Sequence, residues 1–568
     1  MVVISRRSIY SLLSDLGVRI FILAYTWLIA GVLILNHGLP SYIKGVFQQA
    51  TIAFQIAEAK MIDYYGSIYV PSWYGLFDTI RFYPPVGLTL VYSVGKAVGS
   101  FEYAAMICYF IALFLLLNGF YTFTYTVSKS RAASLLAVIL LSLVHGYFST
   151  IAIYWEYTRI LGEGIMFYAL SELYKLLQHG HRRNSIKAGF LAGLTLLTHL
   201  IAFIEYIVIA LVMLIVSISQ HWKMGLDEQG FKYFIKLVRT SFYVFLATTL
   251  WWVIPAIVPF GIEHYFLIKT PVSFKLQVLA EGLTVHPNLY SPTTQLPLII
   301  LGLVVIPYLI YKRKLITTLS IVSLLAVSLA YGQGTRIIPL IGALIVVGIA
   351  ETLGLWRYVR KNKAYFIALA AIVLAFIAFY FQHYYKLYNY YLEPDSTYMY
   401  SDEYKTALWL WTNSKEQYRV YVMYGPTYRG SQWVNVFAPG LKQVLGGFNE
   451  GCINREYLQF DYLFKNTRNI VAVENLIEKL SIKYIVVDEP WAKSFKPNIV
   501  DELLLDNYIK PISGINDILV YSKVFEVVNA KSFNMEEHRT VFFTSIRILA
   551  IILTIIPILK LSREYPTL

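Results

Sequence analysis

The chain is poor in charge and in cysteine, and each shortage narrows what it can be. Only 14% of its 568 residues are charged, against 57% hydrophobic, and the mean hydropathy is +0.56. That balance is too apolar for a water-soluble globule. There are two cysteines, Cys108 in an apolar run and Cys452 in a remote polar segment, which are not placed to form a disulfide, so cysteine gives no information on redox compartment. Strand-length alternation is missing from the apolar runs, which argues against a barrel. The residues after the first apolar run, Asn36-His37-Gly38-Leu39-Pro40, contain no small-x-small cleavage site, so a retained signal anchor is expected. No basic soluble patch stands out, which removes a nucleic-acid role. No internal repeat or low-complexity tract is evident.

What the chain has instead is a series of apolar runs of bilayer length, such as Ile20 to Leu35 and Ala364 to Phe381. Unpaired backbone groups are costly in lipid, so these runs read as helices. About twelve are expected, near residues 18 to 36, 101 to 126, 132 to 152, 159 to 177, 187 to 200, 203 to 219, 240 to 258, 296 to 311, 316 to 331, 337 to 353, 364 to 383 and 541 to 560. Basic residues fall on alternate connections: Arg6 and Arg7; Lys129 and Arg131; Arg182, Arg183 and Lys187; Lys223 to Arg239; Lys312 to Lys314; Arg357 to Lys363; Lys560 and Arg563. By the positive-inside rule these are cytoplasmic, as are both termini, in a multi-pass protein of the plasma membrane. Much of the net charge of +14 is therefore topogenic, and the 47 tyrosines and 11 tryptophans suit interfacial belts.

Two extracytoplasmic segments exceed simple connectors, and loops of that size commonly carry function. The first spans residues 37 to 100; within it Val86 to Val98, opened by Pro84 and Pro85, reads as an interfacial helix. The second spans residues 385 to 540. Its β-rich runs Tyr418 to Tyr424, Lys483 to Val487 and Ile518 to Tyr521, with the amphipathic stretch Val473 to Leu480, predict an external α/β domain. The expected architecture is an all-α polytopic membrane bundle over residues 1–384, an α/β domain over 385–540, and a final membrane helix with a short tail over 541–568.

Polar residues near the outer helix ends are the candidates for chemistry. Glu156, Arg159 and Glu163 share one helical face by their spacings of three, four and seven. They fit either an Arg clasped by two carboxylates to pin a helix, or an Arg for a phosphate with an acid beside it. His199 and Glu205 bracket a turn between two apolar helices, as structural residues or as ligand contacts. Arg336, at the outer start of a span, fits a bidentate lipid phosphate contact or an interfacial anchor. In the first loop Glu58, Asp63, Asp78 and Arg81, with Tyr83, read singly as solvated loop residues and together as a polar cleft for a lipid with a charged head group.

The words Pro71-Ser72-Trp73, Arg81-Phe82-Tyr83-Pro84-Pro85, Arg159 to Glu163, Leu197-Thr198-His199 and Thr335-Arg336-Ile337-Ile338-Pro339 occur in order along the chain. So arranged, the chain resembles the GT-C superfamily of polyprenyl-phosphate-sugar-dependent glycosyltransferases. It resembles more closely the archaeal and bacterial membrane proteins known as 6-pyruvoyl-tetrahydropterin synthase-related; nothing in it suggests pterin chemistry. Leu480 to Val487 is similar to a strand of that group. The resemblance implies sugar transfer from a polyprenyl phosphate to a glycan, lipid or protein acceptor at the outer face. An acid deprotonates the acceptor hydroxyl, with Glu58 ranked first, then Asp63, Asp78 and Glu163. Arg159 or Arg336 stabilises the departing phosphate, and Arg81, Tyr83, Glu156 and His199 join them as substrate-binding candidates. The chain departs from the pattern in one respect: Ser41 to Gln55 holds Gln48, Gln49 and Gln55 where such enzymes carry an early acid. No Asp-x-Asp word appears in either loop, so a divalent metal has no support from the sequence, and no other cofactor is implied. The alternatives are a non-catalytic lipid-linked-sugar binder or flippase, and a cell-surface assembly protein.

Overall fold

The computed structural model describes residues 6–37, 51–75, 77–79, 83–144, 147, 151, 156–223, 228–257, 296–330, 337–354, 371, 374, 378, 402–414, 418–423, 429–446, 455–466, 469–488, 518–522, 545–557 and 559. In chain order the elements are α1 (Arg6–His37), α2 (Thr51–Tyr65), β1 (Tyr69–Val70), β2 (Phe77–Asp78), α3 (Pro85–Val98), α4 (Phe101–Ser128), α5 (Arg131–Leu143), α6 (Tyr157–His179), α7 (Arg182–Thr198), α8 (Leu200–Lys223) and α9 (Glu228–Ile257). There follow α10 (Leu296–Tyr311), α11 (Leu315–Ala330), α12 (Ile338–Gly354), α13 (Asp402–Asn413), β3 (Arg419–Met423), α14 (Arg429–Phe437), α15 (Arg455–Asn466), α16 (Ile470–Lys479), β4 (Ile482–Asp488) and β5 (Ile518–Ser522). The chain forms two compact units: Met1–Leu33 with Tyr109–Leu392 and Ala550–Leu568, and Ile34–Cys108 with Glu393–Leu549. The boundaries expected at 384/385 and 540/541, and the span expected at 364 to 383 apart from three single positions, lie outside the described residues.

The first unit is helical throughout its described residues. Phe101–Ser128, Leu200–Gln220 and Gln229–Ala256 are each long and apolar enough to cross a membrane. With the composition, these helices make the chain a membrane protein. Small residues let the helices approach closely. A Cβ on Gly164 of α6 would lie 2.7 Å from the backbone of Leu115 and Leu116 in α4, and one on Gly162 would lie 2.8 Å from the His199 Cβ. Helix ends follow local chemistry. Gly180 closes α6 at φ 65°, its N–H bonded to the Leu176 carbonyl, and Ser130 caps α5 by accepting from the Ala133 N–H.

The second unit holds the β-structure. β3 and β4 are parallel, β4 and β5 antiparallel, in the order β3-β4-β5, at the positions where the sequence predicts strands. Side chains alternate across β3. Val420 and Val422 join Ala407, Leu410, Val434 and Val486 in one core, while Tyr421 packs its ring on Phe460 and Phe464 of α15 and donates to Asp461 at 2.8 Å. Helices therefore cover both faces of the sheet, which explains the nearly continuous apolar run of β4.

The residues from 51 to 79 belong to this same unit and supply its buried helix. In α2 the seven residues from Ala53 to Ala59 are all buried. Hydrogen bonds tie this part of the chain to residues 435 to 443. The Trp73 indole N–H donates to Asn435 Oδ1 at 2.7 Å, the Ser72 hydroxyl to the Pro439 carbonyl at 2.8 Å, Lys60 to the Val436 carbonyl at 2.9 Å, and the Gln443 N–H to the Ser72 carbonyl at 2.7 Å. Val86 to Val98 is helical, as the sequence predicts. Pro85 at the first turn presets its φ, and Gly99 at φ 80° ends it.

Candidate functional site

Both units hold buried polar side chains among their described residues. In the first unit α7 breaks at His199, whose extended backbone separates it from α8, and whose Nδ1 accepts from the Ala202 N–H at 3.4 Å. The histidine thus acts as a cap between two helices. Because Gly162 lacks a side chain, the α6 face bearing Arg159 and Glu163 meets this break directly.

Arg159 lies at the centre. Its Nε donates to Glu163 at 2.7 Å, its Nη1 reaches Glu156 at 3.4 Å, and its Nη2 stands 4.0 Å from Glu205 on α8. Arg159, Glu163 and Glu205 are buried, and Tyr147 is buried beside the two glutamates. One guanidinium faces three carboxylates. Among the described residues, neither Glu205 oxygen meets a hydrogen-bond donor. The contacts to Glu163 and Glu156 are the ion pairs that the spacing of three and four allows. Glu156 is the residue before the first turn of α6, and its bond to Arg159 is longer than that of Glu163.

In the second unit the polar pair is Gln55 and Glu58, one turn apart on α2 and both fully buried. Aromatic rings crowd the same helix. Phe54 stacks on Trp73 at 5.3 Å between centroids and meets Tyr83 edge-on at 5.9 Å. Asp63 lies two turns further along at the surface, where it pairs with Lys96 at 2.7 Å. That hydrogen bond, with the charge of Asp63, holds the Lys96 ammonium above the ordinary lysine value. Asp78 is in β2, its backbone opposite Tyr69. Arg81 and Arg336 lie outside the described residues.

The structure therefore brings Arg159, Glu156, Glu163 and His199 together, with Glu205, and sets Glu58 and Tyr83 on or beside α2. Among the described residues no group of three or more His, Cys, Asp and Glu side chains is arranged to hold a metal ion. Sequence reasoning missed Tyr147 and the burial of Gln55. Nothing marks one tyrosine among 47, whereas a glutamine inside an alanine-rich helix is a visible signal.

No family model and no curated protein matches the chain, so the closer likeness to the 6-pyruvoyl-tetrahydropterin synthase-related group finds no support. Solved structures do match. The archaeal oligosaccharyltransferase AglB from Archaeoglobus fulgidus, in complex with an inhibitory peptide and a dolichol-phosphate, superposes with a TM-score of 0.53 at 13% identity, over 90% of this chain and 74% of that one. The arabinofuranosyltransferase AftD from Mycobacteria gives 0.55 at 13% identity, over 89% of this chain and 40% of its own. ArnT from Cupriavidus metallidurans, in the apo state, gives 0.56 at 11% identity, over 90% and 98%. These are GT-C glycosyltransferases, and the chain has their fold.

Proposed function

We propose that this chain is a membrane glycosyltransferase that moves a sugar from a polyprenyl phosphate to an acceptor at the outer face. The observation that carries the reading is the fold, which three glycosyltransferases share with it over nine-tenths of its length. One of them is bound to a dolichol-phosphate, which makes a polyprenyl phosphate the donor lipid to test first.

In this reading Glu58 is the base. It takes the proton of the acceptor hydroxyl as that oxygen bonds to the anomeric carbon, and the bond from that carbon to the phosphate oxygen breaks. The polyprenyl phosphate leaves with the electron pair, its charge met by a guanidinium. Arg336 and Arg159 are the two arginines to test for that role; Arg159 already pairs with Glu156 and Glu163. Glu58 is favoured over Asp63 because a buried carboxylate is shielded from water, while Asp63 sits in a surface ion pair. The same reading keeps twelve spans, cytoplasmic termini and an extracytoplasmic α/β segment, which cysteine labelling from either side of sealed vesicles would test.

The direct experiment incubates purified protein with polyprenyl phosphosugars and an acceptor extract and follows released polyprenyl phosphate. Release by wild type and its loss in Glu58→Gln supports the transferase. Binding of the lipid without release favours the non-catalytic binder.

A further inference from the structure

Gln55 is fully buried, and among the described residues neither its amide nitrogen nor its amide oxygen has a hydrogen-bond partner. A buried amide left unbonded destabilises a fold, whereas an apolar side chain of the same volume would not. Its neighbours along the helix, Ala53, Phe54, Ile56, Ala57 and Ala59, are apolar and buried, so the local sequence gives no reason for a glutamine. Its spacing of three from Glu58 puts the amide and the carboxylate on one side of α2. Phe54, its chain neighbour, belongs to the aromatic group with Trp73 and Tyr83.

We propose that Gln55 reads the saccharide. A primary amide offers acceptor and donors in one plane, which matches a vicinal pair of hydroxyls: one donates to Oε1 while the neighbouring oxygen accepts from Nε2. The inference rests on the transferase reading and deepens it by naming the residue that selects the sugar. The hydroxyl pair belongs to the donor sugar or to a glycan acceptor, and the two are separated by the probe used.

The test measures the unfolding temperature of the full chain in lipid nanodiscs. Three probes are added in turn: undecaprenyl phosphate alone, a panel of undecaprenyl phosphopentoses and phosphohexoses, and soluble methyl glycosides. In wild type at least one saccharide probe stabilises beyond the bare lipid. A lipid-linked probe marks the donor, a methyl glycoside the acceptor. Gln55→Met keeps the bare-lipid shift and weakens saccharide binding by about tenfold or more, and Gln55→Asn falls between. If Gln55→Met does not fold, Gln55→Asn decides. A folded variant that keeps the full saccharide increment overturns the assignment, as does a wild type that responds to undecaprenyl phosphate but to no sugar. If undecaprenyl phosphate itself gives no shift, the transferase reading falls with it.

Discussion

Trp73 donates its indole N–H to Asn435 across 2.7 Å, joining residues 362 positions apart in the chain. Asn435 in turn donates to the carbonyls of Leu441 at 2.9 Å and Ala438 at 3.1 Å, and accepts from the Gln443 amide. All of this is buried. Asn435→Ala strands several donors and acceptors at once and lowers stability by about 3 kcal/mol. Denaturant unfolding followed by tryptophan emission measures it.

Arg159 predicts a different signature. Arg159→Leu leaves Glu156, Glu163 and Glu205 without their cation and costs about 3–5 kcal/mol. The double variant Arg159→Leu with Glu163→Leu recovers part of that loss, because the tighter carboxylate goes with its partner. A double-mutant cycle by thermal unfolding in detergent checks both. A phosphate-binding Arg would show additive stability effects and a raised KM for the lipid instead.

Gly164 tests the helix contact that supports this cluster. A methyl there would stand 2.7 Å from the backbone of Leu115 and Leu116, which cannot rotate away. Gly164→Ala separates α4 from α6 and destabilises by about 1–3 kcal/mol. The unfolding temperature reports it, and Gly17→Ala, where nothing lies within 4 Å, serves as the control.

Glu58 and Asp63 separate the base from its nearest rival in sequence. Glu58→Gln lowers kcat by about 10²–10⁴-fold, while Asp63→Asn, which only breaks the pair with Lys96, leaves it within about twofold. Release of polyprenyl phosphate under saturating donor distinguishes them.

β3, β4, β5 and α16 were legible because each carries its own periodicity: β3 and β4 are β-branched runs between polar turns, and α16 is amphipathic with an Asn469 cap. The Arg159 face was legible from spacing alone, since three, four and seven define one side of any helix. α2 was not. Its run from Ala53 to Ala59 is buried all round and shows no polar face to set a period, and its partners at 435 to 443 are remote in the chain, so it read as part of a loop. The occupancy of Arg159 was equally hidden, because spacing shows which carboxylates can reach a guanidinium and not whether they do.

The bond from Lys60 to the carbonyl of Val436 crosses 376 positions. A ribosome adding about 5–20 residues per second needs roughly 20–75 s to travel from one to the other. Throughout that interval the alanine-rich helix has been made and its cover has not. Newly made chains therefore pass through a stage in which this stretch stays unsheltered while membrane helices are inserted one after another. Truncation upstream of residue 435 would fix that stage permanently, and such fragments should be the ones the cell's quality control removes.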